Sequence, residues 1–143
     1  MRGHWLAALA AIAFAACAHA QSSAPGPFTT PAGTLAFTRA NGEFVATLDT
    51  QGFDRFGAKA LTHFDDAGGA DDSITRMLVQ TDPGPVLYDF RRRPPLVQRA
   101  GRPMTIRRVF WQGDEVVMQG TQGWFRFERG VLTKLQSSKS IYH

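Results

Sequence analysis

Hydrophobic and polar residues alternate along most of this chain at the period of a β-strand. Over 34–38, Leu35 and Phe37 share one face. Asn41-Gly42 follows, a pair that accepts the positive φ angles of a two-residue hairpin turn. Phe44, Ala46 and Leu48 then alternate against Glu43, Thr47 and Asp49, which predicts a first hairpin. Further on, Thr75, Met77, Val79 and Thr81 share one parity, and Val86, Tyr88 and Phe90 share another. Asp82-Pro83-Gly84-Pro85 lies between them as turn chemistry, predicting a second hairpin that ends at the proline-broken run Arg91–Pro95. A short helix over 72–79, capped by Asp72 or Ser73, is the alternative for the first of these strands.

The last forty residues show the pattern most plainly. Strands are expected over 104–112 and 115–119, joined by Gly113-Asp114. Phe125 and Phe127 face one way while Trp124, Arg126 and Glu128 face the other, and Arg129-Gly130 turns the chain into 131–135. That spacing predicts a four-stranded antiparallel meander. Residues 53–64 depart from it. Phe53, Phe56, Ala60 and Phe64 recur at helical spacing, so an amphipathic helix is expected there, weakened by about 1 kcal/mol by Gly57. The fold class expected is mainly β: an antiparallel meander of six to eight strands forming a small barrel, a bent sheet or a sandwich, with one or two short helices.

The N-terminus has a different character. Arg2 is followed by an apolar run, Trp5 to Ala16, and by Ala18-His19-Ala20. A basic start, a short apolar stretch and a small-x-small site describe a secretory signal peptide, and twelve apolar residues fall short of the ~20 a membrane-spanning helix needs. The expected organisation is a signal over 1–20, a flexible Pro/Ser-rich lead-in over 21–33, and one β-rich domain over 34–143. The 123 residues after the signal suffice for one domain. The compartment expected is the periplasm or the exterior. The run Phe14-Ala15-Ala16-Cys17 also resembles the lipobox of bacterial lipoproteins. That resemblance implies cleavage before Cys17 and its lipidation, which would make the product a membrane-anchored lipoprotein. Cys17 is the single cysteine, so on either route the domain has no internal disulfide.

Charge is distributed unevenly. Residues 21–82 carry four Lys/Arg and eight Asp/Glu, net −4; residues 83–143 carry eleven and four, net +7. Either the two halves pack together and complement each other, or the second offers a basic face to an anionic partner. In an exported protein that partner is another protein or an anionic envelope component rather than nucleic acid, with membrane contact only if Cys17 is lipidated. The residues singled out for binding are Arg107, Arg108, Trp111, Trp124 and Arg126, joined by Arg129 beside them, because Arg and Trp on neighbouring strands are enriched in interfaces. The competing reading puts both tryptophans in the core.

Catalytic chemistry finds little support. After the signal only His63 and His143 remain as histidines, and no Gly-x-Ser-x-Gly elbow accompanies them. His63, Asp65, Asp66, Asp71 and Asp72 could offer ligands to a hard cation, but their spacing matches no calcium loop and reads better as a solvated acidic segment. No glycine-rich phosphate loop is present, so no cofactor is expected. The function expected is a non-enzymatic envelope binding protein. An inhibitor or immunity protein against an envelope hydrolase and a carrier of an apolar ligand are the alternatives, with an envelope hydrolase as the opposing class.

The signal reading makes a direct prediction. Signal peptidase requires small residues at the positions Ala18 and Ala20 occupy, so the product from a bacterial host is expected to have the intact mass of unmodified residues 21–143. A chain starting at Cys17 and carrying a diacylglycerol-sized increment would overturn this, as would membrane association that is lost in Cys17→Ser.

Overall fold

The computed structural model describes residues 21–68 and 70–135; the expected signal, Cys17 and His143 lie outside the described residues. Three four-stranded antiparallel sheets follow one another in sequence, and none closes into a barrel. The first contains β1 (Phe28–Thr30), β2 (Gly33–Ala40), β3 (Glu43–Leu48) and β4 (Gln51–Gly57). The second contains β5 (His63–Asp66), β6 (Arg76–Thr81), β7 (Gly84–Asp89) and β8 (Leu96–Arg99). The third contains β9 (Ile106–Gln112), β10 (Glu115–Gly120), β11 (Gly123–Glu128) and β12 (Val131–Lys134). Within each sheet, strands adjacent in sequence are adjacent in space.

The second sheet is the middle layer. Met77, Val79, Val86 and Tyr88 point toward the first sheet, where they meet Leu35, Phe37, Ala46 and Phe56. Leu78 and Leu87, of opposite parity, join Phe64 against Val109, Val116, Met118, Phe125 and Phe127 of the third sheet. A strand covered on both faces cannot spare polar positions, so β6 and β7 are buried almost throughout. Polar contacts also join the layers. Asp54 on β4 accepts a hydrogen bond from the Tyr88 hydroxyl at 2.6 Å and another from Arg99 at 2.5 Å. Burial, followed by the Asp54 carboxylate, pushes the Tyr88 hydroxyl far above its ordinary range, so it stays a donor.

Several expectations change. The helix expected over 53–64 is strand β4, a loop, and the start of β5. The cause is a β-bulge: Thr47 pairs with Gly52 but Ala46 pairs with Asp54, leaving Phe53 as the extra residue. Phe53 thereby packs against the same core as Phe56, and two inward rings three residues apart imitate a helix. The alternative helix at 72–79 reduces to one 3-10 turn at Ala70–Asp72 before β6. The described residues hold twelve strands rather than six to eight; β8, directly after the prolines, had no pattern to announce it.

The expected lead-in at 21–33 is also tied into the fold. β1 pairs with β2, Ser22 bridges the backbone of His63, and Phe37 donates its N–H to the Pro25 carbonyl. Both predicted hairpin turns are present, at 41–42 with φ of 54° and 80°, and between β6 and β7. In the second, Gly84 has φ of 131° and its α-carbon faces the Arg102 backbone so closely that any Cβ would collide with the carbonyl.

A three-layer arrangement predicts that adjacent residues on β6 are equally sensitive. Met77→Ala and Leu78→Ala are each expected to lower unfolding free energy by about 2–5 kcal/mol in urea titrations. In a two-layer sheet one of the pair would face solvent and its loss would cost little.

Candidate functional site

The outward face of the third sheet is set by the parity of its strands. Phe125 and Phe127 on β11, Val116 and Met118 on β10, and Val109 on β9 turn inward, so the residues between them turn out. Cross-strand pairing then aligns Arg108, Gln119 and Trp124 in one row, and Phe110, Val117 and Arg126 in the next. Phe110 and Val117 are buried, with the Phe110 ring 5.8 Å from Trp124. Glu115 and Glu128 lie one row further, toward the turns, so the basic character is concentrated at the other end of the face.

Of the five residues singled out in the sequence, Arg108, Trp124 and Arg126 share this face. Arg107 is the extra residue of a second bulge, where Gln119 pairs with Arg108 but Gly120 pairs with Ile106. The bulge sits against Gly120, where a Cβ would crowd Met104 and the Thr105 carbonyl. Arg107 is exposed beside the row rather than in it. Trp111 does not join them. It turns inward against the second core, with the Arg76 guanidinium 4.9 Å from its ring centroid. Trp111 thus packs against the core, while Trp124 lies half-buried on the outward face. Among the described residues no side-chain hydrogen bond or ion pair engages Arg107, Arg108 or Arg126.

His63 has a structural setting. It is fully buried on β5, stacked on Phe37 and met edge-on by Phe28. Nε2 donates to the Ala24 carbonyl at 2.8 Å, and Nδ1 lies 2.5 Å from an Asp65 carboxylate oxygen. A carbonyl only accepts, so Nε2 carries a proton, and Nδ1 is engaged by the Asp65 carboxyl group. Burial lowers the pKa, but the hydrogen bonds to Asp65 and Ala24 with the Asp65 charge outweigh it, and the net shift is upward. Neither nitrogen is left to take a proton from a substrate. The acidic segment is likewise engaged in part: Asp65 serves His63, and Asp66 accepts two bonds from Arg76. Among the described residues no group of three or more His, Cys, Asp or Glu side chains is arranged to hold a metal ion.

Between the first and second sheets, a cavity of about 310 Å³ is lined in part by Arg55, Phe56, Val86 and Arg99. Both arginines already have partners, Glu43 for Arg55 and Asp54 for Arg99. A second arginine grouping, which no local sequence pattern announces, lies at the opposite interface between sheets two and three. Its members, Arg76, Arg91, Arg92 and Arg129, are spread over more than fifty positions and meet only because the sheets stack.

The raised pKa of His63 predicts a pH dependence. The folded chain holds the proton more tightly than the unfolded one, so this stabilisation is complete below pH 6.5 and disappears as pH climbs through the raised folded-state value. The urea midpoint is expected to fall as pH rises above 6.5, and His63→Gln is expected to remove that slope. An unchanged slope in the variant would contradict the assignment. No family model, curated protein or solved structure matches this chain.

Proposed function

We propose that this is an exported, non-enzymatic binding protein of a bacterial cell envelope, and that it engages an anionic partner, an acidic protein or an anionic envelope component, through the basic end of the third sheet. The observation that carries this reading is the alignment of Arg108, Trp124 and Arg126 on one outward face, with no side-chain hydrogen bond or ion pair committing either arginine among the described residues. Guanidinium groups beside an indole suit a surface that must hold an anion and still exclude water around it. The engagement of both His63 nitrogens supports the non-enzymatic part. Two cavities between the sheets are each lined in part by arginines, which favours the binding of an anion over the carriage of an apolar ligand.

A partner captured from envelope extract tests the reading. Its affinity is expected to fall as salt rises, because the screening length shrinks from about 10 Å at 0.1 M to about 3 Å at 1 M. Arg108→Ala with Arg126→Ala is expected to weaken it by at least about tenfold, since hydrogen bonds to charged groups contribute about 1.5–3 kcal/mol each. Affinity indifferent to both salt and the double substitution would remove the proposal.

A further inference from the structure

We propose that the arginine-lined cavity between the second and third sheets is a binding site for a phosphoryl group, separate from the outward face described above. The cavity encloses about 300 Å³. Arg76 comes from β6, Arg91 and Arg92 from the segment after β7, and Arg129 from the turn between β11 and β12. Asp89, Gln98 and Asp114 complete its polar wall.

The carboxylates here are already committed. Arg91 holds Asp89 through two side-chain bonds of 2.9 and 2.8 Å, and its backbone N–H adds a third at 3.0 Å. Arg91 also reaches Asp114 at 3.5 Å. Asp66, outside the cavity, takes Nε and Nη2 of Arg76. Four guanidinium groups thus face three carboxylates, and Arg92 and Arg129 have no side-chain hydrogen bond or ion pair among the described residues.

The second observation concerns Arg76. Its side chain is only 6% exposed, yet its Nη1 has no hydrogen-bond partner, and neither has Nε1 of the neighbouring Trp111. Buried polar groups are normally paired, so an unpaired guanidinium nitrogen among the residues lining this cavity calls for a water, an ion or a ligand. A carboxylate is planar and is satisfied by a single guanidinium fork, as Asp89 is by Arg91. Donors arriving from a strand, a loop and a turn on two different sheets fit the tetrahedral oxygens of a phosphoryl group better. The phosphoryl group could be free phosphate or part of a lipid headgroup, and the two present the same chemistry to the cavity.

The test uses the complete secreted protein. Isothermal titration with inorganic phosphate is compared with acetate at equal ionic strength, and flotation with phosphatidylcholine vesicles is compared with and without phosphatidic acid. Phosphate is expected to bind and acetate is not. Arg92→Gln with Arg129→Gln, both exposed and outside the core, is expected to weaken phosphate binding by at least about tenfold, whereas Arg55→Gln on the first sheet leaves it unchanged. Trp111 fluorescence is expected to change on binding, because Arg76 lies over its ring, and Trp111→Phe abolishes that change. Flotation that requires phosphatidic acid and is lost in the Arg92/Arg129 variant identifies the source as a headgroup; saturable titration without flotation identifies free phosphate. Absence of binding in both assays, equal binding of acetate, or an unaffected double variant would overturn the proposal. Arg108→Ala with Arg126→Ala leaves phosphate binding intact, so failure here and failure of the surface reading are seen separately.

Discussion

The middle sheet must be covered on both faces, and the rest of the structure follows from that requirement. Its two longest strands bury Met77, Val79, Val86 and Tyr88 toward one neighbour and Leu78 and Leu87 toward the other. A sheet apolar on both sides is insoluble alone, so the flanking sheets are obligatory partners. Each of those gives one apolar face to the middle sheet and turns the other outward, where on the third sheet Phe110 and Val117 are nonetheless buried. Outward-facing chemistry is therefore confined to the first and third sheets and to the seams where layers meet.

The same requirement explains what could be read in the sequence. Hairpins at Asn41-Gly42 and Gly113-Asp114 were legible because their turn residues and flanking alternation are local signals. The inward placement of Phe125 and Phe127 was legible for the same reason. Three layers were not. Leu78 and Leu87 are out of step with the parity that marks an ordinary one-sided strand, and only burial on a second face gives them a place. Phe53 misled because a bulge displaces parity by one residue, which no period-based reading registers. The anchoring of Ser22 and Ala24 was invisible because both reach His63, some forty residues away, through their own backbone groups, which carry no side-chain signal.

Arginine serves three different purposes in this chain. Arg76 is interior, bonded to Asp66 and laid against Trp111. Arg91 and Arg99 clamp the buried carboxylates Asp89 and Asp54. Arg107 and Arg108 stand in solvent on the third sheet, with Arg126 half-buried beside them. Composition alone shows a basic second half and treats these residues alike. The net charge of that half overstates its exposed positive surface, because clamped guanidinium groups are largely neutralised where they sit.

The two bulges have a consequence for how molecules of this protein meet one another. Open sheets leave edge strands whose unpaired N–H and C=O groups could recruit a second chain. β1, β5, β8 and β12 are only three or four residues long and offer little template. β4 and β9, at seven residues each, are the long edges, and each carries a bulge, at Phe53 and at Arg107. An extra residue interrupts the regular row of backbone groups and twists the strand away from any flat partner. The bulges thus work against edge-to-edge growth of the three open sheets, and one of the residues that breaks an edge, Phe53, is the one that obscured the pattern.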